Sequence, residues 1–593
     1  MHFQPSTLYP IHKLVSRTDM AQTHRPKQPR VLVIGLDGAT FRLIHPMIAA
    51  GQLPNLASLM ADGVAGELRS TIQPSSEQAW SAFLTGQNNG KHGVYGFQQR
   101  RPGTYQFGYV NAASLRAPSL WHILSERERD VIVMNVPMTY PPEPVRGVLV
   151  GGLLTPGPQS QFTYPDGIYN ELVRECGGYM IDVDTERGRL EDDQLLQLAE
   201  DGVRMIQLRA NAALYLARTR PWDFFMVVFG ASDRLAHKFW KYWDVDHPLH
   251  DPQAAQRFGD VLPRIYRELD AAVGQLVDAL RDDQTTVFIV SDHGFGPMEK
   301  AVYLNRWLTQ RGYLALRAGS GLSPGQQANA AMRGALRRAV RYLDTPLVSS
   351  AKNWAFERFP DLKGSLYSSM AFSQVDWPRT RAYALGTMGN IYFNRRGREP
   401  EGIVAPGAEA DALAEQLMGE LQTLLDPATG QPVFHEIHRG RDLYHGPALA
   451  DGPDVVGVKT SSYHVVTADW QGGDEIVVPL GGALHFASDQ SGQHELAGIL
   501  MAAGPDVPRG QPVTGANLVD MAATILYAMD EPIPASMDSR LIDGVFAADA
   551  LLKRPAQFVD EEAMRTRQSS DVSYNAVEEA RLEEHLASLG YLD

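Results

Sequence analysis

The sequence predicts an α/β protein whose mostly parallel sheet carries helices on both of its faces. Four apolar runs have the length of buried strands, at residues 31–36, 131–136, 224–229 and 286–290. Segments with helical periodicity lie between these runs, so strands and helices alternate along the chain. This alternation is typical of parallel sheets, because each crossover connection places a helix against a face of the sheet.

The first half of the chain supplies most of these elements. Four helices are predicted from the spacing of their apolar residues, at residues 54–60, 79–84, 193–217 and 264–281. A Pro-Ser-Ser-Glu turn precedes the second of them, and Ser75 or Ser76 could cap it. The first strand ends in Asp37-Gly38, and the fourth ends in Ser-Asp-His-Gly.

The alternation stops near residue 300 and resumes near residue 453, where the sheet is predicted to continue to residue 545. The interrupted stretch contains a Gly/Ser/Pro/Gln-rich linker, a basic helix and an amphipathic helix, at residues 319–327, 330–343 and 408–425. We therefore predict a cap region at 301–439, inserted into a core formed by residues 29–300 and 440–550. Residues 1–28 are predicted to be a disordered leader and residues 551–593 a helical tail, whose last apolar stretch would plug onto the core.

Composition restricts the classes of partner and compartment. The formal net charge of −15 at pH 7 disfavours nucleic-acid polymers and anionic membrane surfaces as partners. Bound metal ions can reverse the local field, so a small anionic substrate stays compatible with this charge. No apolar run approaches the roughly 18 residues of a membrane span, and the first 27 residues lack a secretory signal. Cys176 is the single cysteine, so no intrachain disulfide can form and the cytoplasm is predicted.

Residue types that bind metal ions follow two of the predicted strands directly. Asp37 comes after the first strand, and Asp292 and His293 come after the fourth. In an open α/β sheet, ligands bind at the carboxyl ends of the strands. Each residue is also explained singly as a turn residue or a helix cap.

Three further candidates lie beyond the strand ends. Asp233 and His237 stand four residues apart, so a helical turn would put both side chains on one face. His494 lies in a polar Ser-Gly-Gln-His loop before an apolar segment. A solvated helical pair and a loop histidine are the simpler interpretations when each is taken alone. The order and spacing of all these residues together favour one shared site.

Seven motifs in this order give the sequence a resemblance to a known family. They are VLVIGLDG at 31–38, LPNLASL at 53–59, SSEQAWSAFLTG at 75–86, GKHG at 90–93, ASDRLAH at 231–237, SDHG at 291–294 and GQH at 492–494. The sequence resembles the alkaline phosphatase superfamily, most closely its type I phosphodiesterase/nucleotide pyrophosphatase branch, over residues 30–310 and 440–545. The resemblance implies an alkaline-phosphatase-like α/β/α sandwich and a metal-dependent hydrolase of phosphodiester or phosphoanhydride bonds.

The resemblance also implies the nucleophile and two metal sites. The nucleophile of the family lies nine residues before the Thr of a Thr-Gly pair, here Thr85-Gly86, which indicates Ser76 and not Ser75. One metal ion would be held by Asp233, His237 and His494. The other would be held by Asp37, Asp292, His293 and the Ser76 oxygen. Oxygen and nitrogen ligands suit zinc or manganese. The implied reaction passes through a phospho-Ser76 intermediate that water hydrolyses, and the implied partner is a small phosphorylated substrate.

The sequence departs from the family pattern at one phosphate contact. Nucleotide pyrophosphatases carry an Asn five residues after the His of the His-Gly pair, and the corresponding residue here is Phe97. Arg234, Lys238 and His445 are candidate replacements for substrate binding. Each of the three is also explained as structural or surface charge.

Two other functions stay open at this point. A phosphomutase or phosphotransferase of the same superfamily would share the Asp-x-x-x-His and Asp-His-Gly elements. The Gly-Asn-Ser-Glu-Val-Gly-His stretch of such mutases is replaced here by Pro-Ser-Ser-Glu-Gln-Ala-Trp. A non-catalytic descendant could bind metal or an anion, although the ligand positions and the nucleophilic hydroxyl are all filled.

Overall fold

The computed structural model of the chain describes residues 28–184, 190–317, 372–467, 473–481, 490–560, 574–589 and 591–592. Residues 1–27 of the predicted leader at 1–28, the linker at 319–327 and the basic helix at 330–343 lie outside these residues. Strands are numbered in chain order: β1 (Arg30–Leu36), β2 (Val64–Arg69), β3 (Gln98–Arg100), β4 (Phe107–Tyr109), β5 (Val131–Met134), β6 (Gly147–Val150), β7 (Thr163–Tyr164), β8 (Phe224–Phe229), β9 (Thr285–Val290), β10 (Gly294–Pro297), β11 (Lys300–Tyr303), β12 (Ala382–Leu385), β13 (Asn390–Phe393), β14 (Phe434–Arg439), β15 (Val455–Lys459), β16 (Tyr463–Val466), β17 (Val477–Pro479), β18 (Gly492–Glu495), β19 (Ala497–Ala503), β20 (Gln511–Pro512), β21 (Ala516–Asn517), β22 (Ile533–Pro534) and β23 (Phe558–Val559).

The α-helices described are numbered in the same way. They are α1 (Phe41–Ala49), α2 (Pro54–Asp62), α3 (Ser76–Thr85), α4 (Asn89–His92), α5 (Leu120–Glu126), α6 (Ile168–Glu175), α7 (Asp192–Thr219), α8 (Ala231–Trp243), α9 (Pro252–Phe258), α10 (Val261–Leu280), α11 (Leu304–Gln310), α12 (Ala408–Gln422), α13 (Gly440–Leu443), α14 (Met521–Ala528), α15 (Ala548–Lys553) and α16 (Ala576–Leu589). None of them has the length and apolarity that spanning a membrane requires.

The large sheet has the strand order β20-β2-β19-β9-β1-β8-β5-β6-β7, with β21 also paired to β2. Its centre is parallel: β1 pairs with β8 and β9, and β5 pairs with β6 and β8. β19 is antiparallel to both β2 and β9. Every residue of β8 and β9 is buried, because a central parallel strand is covered on both faces, and this produces the continuous apolar runs of the sequence.

Two groups of helices cover this sheet. In one group α10 contacts α2, α7 and α8, and in the other α3 contacts α5 and α14. α10 and α14 both contact the central strand β1, so helices lie on either side of it. The predicted α/β fold, with a mostly parallel sheet between two helical layers, is confirmed.

A second body lies after the main run of parallel strands. β16, β11 and β17 form a three-stranded sheet, and β12, β13, β15 and β14 form a four-stranded sheet. Their buried apolar residues form a cluster with those of α11 and α12. The prediction that the main sheet resumes near residue 453 is wrong, because β15 pairs with β13 and β14 instead. The next main-sheet strand among the described residues is β19. The cap boundaries at 301–439 stay a prediction.

The carboxylate of Asp270 on α10 caps the first turn of α2. It accepts hydrogen bonds from the backbone N–H groups of Asn55 (3.2 Å) and Leu56 (2.8 Å) and from the Asn55 side-chain amide (2.8 Å). The residue before α2, Leu53, offers no side-chain cap. Asp270 therefore satisfies backbone donors that the helix itself leaves unpaired.

Replacing Asp270 with alanine is expected to lower the free energy of unfolding by about 3 kcal/mol, because buried donors lose a charged acceptor. The shift of the urea unfolding midpoint, followed by circular dichroism, measures the effect. Asp278→Ala on the same helix is the control, since Asp278 is exposed. Equal midpoints for the two variants would contradict the capping role.

Candidate active site

The carboxyl ends of β1 and β9 bring three predicted site residues together. The parallel register places Gly35 of β1 beside Val290 of β9, so the residues that follow both strands emerge at one edge. Asp37 follows β1, and Asp292 and His293 follow β9. The backbone N–H of Gly38 donates to Oδ1 of Asp292 at 3.2 Å, which joins the two strand ends directly.

Asp233 and His237 come from α8, which starts immediately after the central strand β8. Their predicted position on one helical face is confirmed: Nε2 of His237 lies 3.6 Å from Oδ1 of Asp233. Gly38 makes the close approach of β1 to this helix possible. Its φ is +65°, and a Cβ there would lie 3.0 Å from Cβ of Asp233, so a larger residue would be strained and crowded.

Ser76 is the first residue of α3, and Ser75 is its N-cap. The Ser76 side chain is completely buried, and its Oγ lies 3.3 Å from Nε2 of His293. The first turn of α3 therefore places a buried hydroxyl beside His293, a residue type that binds metal ions. The neighbouring hydroxyl of Ser75 is turned away and donates to Glu77 at 2.5 Å.

His494 reaches the same centre from β18. The prediction of a polar loop here is wrong, because β18 pairs antiparallel with β10 and sets His494 opposite Phe295. The partner strand is distant in sequence, so the local pattern did not reveal it. Nε2 of His494 lies 3.0 Å from Nε2 of His237 and 3.1 Å from Oδ1 of Asp233.

Each of the three carboxylates accepts a hydrogen bond with one oxygen, and its other oxygen faces the centre of the cluster. Oδ2 of Asp37 accepts from the Trp80 indole at 3.3 Å, and Oδ1 of Asp292 accepts from Gly38. Oδ2 of Asp233 accepts from Arg234 at 2.6 Å. The remaining oxygens, Oδ1 of Asp37, Oδ1 of Asp233 and Oδ2 of Asp292, are buried without a hydrogen-bond donor. Buried carboxylate oxygens without donors are costly unless a cation satisfies them.

In each of the three histidines, Nδ1 lies against a backbone carbonyl and Nε2 faces the cluster. Each Nδ1 lies near a backbone carbonyl oxygen: 3.0 Å from Gly492 for His237, 3.0 Å from Gly294 for His293 and 2.8 Å from Pro74 for His494. A carbonyl accepts, so Nδ1 carries the proton and each Nε2 presents a lone pair. The short contact between Nε2 of His494 and Oδ1 of Asp233 therefore joins two acceptors. This is the hydrogen-bonding pattern of metal-binding histidines.

Burial and mutual repulsion shift the carboxylate pKa values. Burial, reinforced by Asp292 and Asp233, holds the pKa of Asp37 well above its usual value. Burial and the charge of Asp233 raise the pKa of Asp292 to about 7. Burial acts in the same direction on Asp233, but the guanidinium charge of Arg234 opposes it, and the pKa of Asp233 lies well below its usual value. The raised pKa values of Asp37 and Asp292 reflect the cost of placing several carboxylate charges together in a buried site, a cost that a bound cation would offset.

Two groups of donor atoms could each hold a metal ion. Two sets of ligand atoms each lie within 4.8 Å of one another: Asp233, His293 and His494 in one, and Asp37, Asp292 and His293 in the other. His293 belongs to both, because its Nε2 is 3.3 Å from Asp292, 3.7 Å from Asp233 and 3.8 Å from Asp37. Carboxylate oxygens and imidazole nitrogens suit zinc and manganese alike.

The three residues suggested for substrate binding lie in different surroundings. Arg234 is buried beside the cluster, with its guanidinium on Asp233 and, at 3.0 Å, on Asp182. Lys238 is a buried residue of α8 next to His237. His445 is largely exposed, and its ring lies near Asn88 and Asp538. Arg234 adjoins the cluster through Asp233, and the contacts of His445 are with residues outside the cluster.

Sequence reasoning did not assign Trp80, Asp182 or Tyr591 to the site. Trp80 lies within the motif at 75–86, but the sequence does not reveal that its indole N–H donates to Asp37. Asp182 has no sequence signature of its role. Tyr591 was assigned only to an apolar plug, yet its hydroxyl contacts Asp233 and accepts from Arg234 at 2.7 Å.

A small cleft opens beside α3. Glu77 and Phe97 line it from the core, Met388 from the second body, and Tyr591 and Leu592 from the C-terminal residues. Burial raises the pKa of Glu77 to about 7, although the Ser75 hydroxyl opposes this shift. Ser75 and Glu77, which flank Ser76 in the sequence, both line the cleft.

Comparison with known proteins gives one family match. The family model described as type I phosphodiesterase / nucleotide pyrophosphatase matches residues 31–350. No curated protein matches the chain.

Solved structures give low similarity scores. Phosphonoacetate hydrolase from Sinorhizobium meliloti 1021, in complex with phosphonoformate, is 14% identical over 85% of this chain and 96% of the hydrolase, with a TM-score of 0.49. An inactive variant of murine ectonucleotide pyrophosphatase / phosphodiesterase 5, in complex with AMP, is 11% identical over 85% of this chain and 96% of its own, with a TM-score of 0.44. The human ectonucleotide pyrophosphatase / phosphodiesterase 5 is 10% identical over 88% and 99%, with a TM-score of 0.43. Because the family model spans more than half of the 593 residues, this chain belongs to the type I phosphodiesterase / nucleotide pyrophosphatase family.

Proposed function

We propose that this chain hydrolyses phosphodiester or phosphoanhydride bonds of a small substrate, with Ser76 as the nucleophile. The observation that carries the proposal is the convergence of one buried hydroxyl, three donor-free carboxylate oxygens and three imidazole lone pairs at one sheet edge. A purely structural cluster would pair these acceptors with donors. Family membership supports the same class of reaction. Cytoplasmic localisation stays a prediction.

Two divalent cations, zinc or manganese, fit this donor set. One would be held by Asp233, His237 and His494, and the other by Asp37, Asp292, His293 and the Ser76 oxygen. When bound, such cations lower the pKa of a serine hydroxyl and stabilise charge on the attacking and leaving oxygens. His293 lies near the carboxylates of both groups, so its Nε2 could bind either ion.

The chain's own residues prepare Ser76 for attack. As the first residue of α3, Ser76 lies where backbone N–H groups point outward and the helix dipole favours negative charge. Both the Ser76 oxygen after loss of its proton and a phosphate oxygen would be stabilised there. Oγ of Ser76 lies 3.3 Å from Nε2 of His293, so in the metal-free chain the lone pair of this nitrogen can accept the hydroxyl proton.

Two displacements at phosphorus complete the reaction. The Ser76 oxygen forms a bond to phosphorus while the bond to the leaving alcohol or phosphate breaks, and the leaving oxygen takes up a proton. The phospho-Ser76 ester is then attacked by water, which releases phosphate product and returns the proton to Oγ. No electrons are exchanged with a cofactor, so one water is the only second reactant.

Formal charge favours a monoanionic diester over a dianionic monoester. Two divalent cations, three Asp carboxylates and the Ser76 alkoxide sum to zero. Arg234 adds one positive charge, but Asp182 at 3.0 Å balances it. A centre near neutrality accepts a single negative charge without an additional basic residue, whereas a second charge would be unbalanced.

A direct comparison of two chromogenic substrates tests this proposal. With zinc or manganese present, kcat/KM for bis(p-nitrophenyl) phosphate is expected to exceed that for p-nitrophenyl phosphate by about tenfold, the discrimination that roughly 1.4 kcal/mol provides. Steady-state release of p-nitrophenol measures both constants. A monoester preference would contradict the charge argument. Absence of turnover of both, with metal bound, would favour the mutase or the binding protein.

A further inference from the structure

The C-terminal residues Tyr591 and Leu592 reach the candidate active site from the far end of the sequence. They follow α16, which the core holds at both ends. The Tyr574 hydroxyl donates to the carbonyl of Leu154 at 2.8 Å, and the Gln490 amide donates to the carbonyl of Leu589 at 3.0 Å. The N–H of Tyr591 donates to the carbonyl of Leu586 at 2.9 Å, which turns the chain back at the helix end. The position of Tyr591 is thus determined by several anchors.

The Tyr591 hydroxyl completes a closed triangle with Asp233 and Arg234. It contacts Oδ2 of Asp233, and it lies 2.7 Å from Nη1 of Arg234, which itself donates to the same Oδ2 at 2.6 Å. A guanidinium can only donate hydrogen bonds, so the phenol accepts from Arg234 and donates to Asp233. Both donors act on Oδ2, and this leaves Oδ1 directed at the histidines.

The aromatic ring of Tyr591 packs against other rings of the site. It stacks on Phe97 with ring centroids 4.9 Å apart, and it meets the rings of His237 and His494 edge-on at 5.5 and 5.8 Å. Tyr591 is only 5% exposed. Phe97, which stands where the family pattern has an Asn, therefore supports a tyrosine that other parts of the site depend on.

We propose that Tyr591 is a positioning residue for metal binding, which acts through Asp233. Its hydroxyl fixes the carboxylate rotamer that presents Oδ1. Residues that hydrogen-bond a metal ligand orient it and raise affinity for the ion, and their loss costs about 10- to 100-fold. This inference rests on the proposed function, because it assumes that Asp233 is a metal ligand.

The test compares Tyr591→Phe with Tyr574→Phe. Both changes remove one buried hydroxyl from the C-terminal region, but the Tyr574 hydroxyl contacts the backbone of Leu154 and Val110 and not the cluster. Each full-length protein is dialysed against chelator, and Zn²⁺ alone is then titrated in by calorimetry. Wild type and Tyr574→Phe are expected to bind about two ions with equal affinity. Tyr591→Phe is expected to bind one of them about 10- to 100-fold more weakly.

A second readout separates positioning from general damage to the tail. With bis(p-nitrophenyl) phosphate, the Zn²⁺ concentration that gives half-maximal kcat is expected to rise by the same factor in Tyr591→Phe, and excess Zn²⁺ is expected to restore most of kcat. Equal affinities for wild type and Tyr591→Phe would overturn the inference alone. Equal weakening in both variants would also overturn it, because tail seating would then be the cause. A wild-type chain that binds no metal would overturn the proposed function and this inference together.

Discussion

Replacing Ser76 with alanine is expected to lower kcat/KM for bis(p-nitrophenyl) phosphate by about 10⁴-fold or more, the scale of loss seen when a hydrolase loses its nucleophile. The substitution removes the one hydroxyl that adjoins His293 at the start of α3. Steady-state kinetics with added zinc or manganese measures the loss. Acid quench of the wild-type reaction followed by mass spectrometry is expected to find phosphate on the peptide that contains Ser76.

Two neighbouring hydroxyls provide matched controls for this result. Ser81 lies on the same helix, is equally buried and donates to the carbonyl of Glu77 at 2.5 Å, so Ser81→Ala tests the loss of any α3 hydroxyl. Ser75→Ala tests the assignment of the nucleophile, since Ser75 contacts Glu77 instead of the cluster. Both variants are expected to keep kcat/KM within about tenfold of wild type, because neither removes a group that adjoins His293. Loss of the phosphopeptide in Ser75→Ala, with activity retained in Ser76→Ala, would reassign the nucleophile.

Much of the fold could be predicted from local sequence, because its central strands are buried on both faces. The run at 224–229 matches β8 residue for residue, and the strand predicted at 286–290 differs from β9 by one residue. The parallel sheet places the residues that follow these strands at one edge, which is why the sequence alone groups Asp37, Asp292 and Asp233.

Long-range pairing accounts for what the sequence did not reveal. β15 is an apolar segment like a main-sheet strand, and only its pairing with β13 and β14 assigns it to the second body. β18 is short and polar, and its partner β10 lies far away in sequence. Tyr591 reaches Asp233 across most of the chain. No local periodicity encodes such contacts, because periodicity reports only which face of an element is buried.

A second large effect is expected from replacing Asp292 with asparagine. Asparagine can keep the hydrogen bond from the Gly38 N–H through its Oδ1, but its amide nitrogen takes the place of the donor-free oxygen Oδ2. An amide is a weaker ligand than a carboxylate and leaves one positive charge of a cation unbalanced. We expect the variant to bind about one ion per chain instead of two, and kcat/KM to fall by at least about 10³-fold. Metal content by mass spectrometry and diester hydrolysis measure the two effects.

The same substitution is expected to stabilise the chain when no metal is present. In the folded chain the pKa of Asp292 rises from 3.8 to about 7, because burial and Asp233 disfavour its charge. Because the pKa of Asp292 is raised in the folded chain, the stability that its protonated carboxyl contributes is lost as the pH rises from about 4 to about 7. The asparagine side chain does not titrate, so the variant does not lose stability in this way. In chelator at pH 8, Asp292→Asn should therefore unfold at a higher temperature than wild type, and at pH 4 the gap should close. Saturating zinc should reverse the order at pH 8, because ions that bind only the folded state stabilise wild type more. If the variant were less stable than wild type in chelator at pH 8, the metal-free cluster would not be destabilised by the charge of Asp292. Asp278→Asn, which changes an exposed residue of α10, is the control for the loss of one charge.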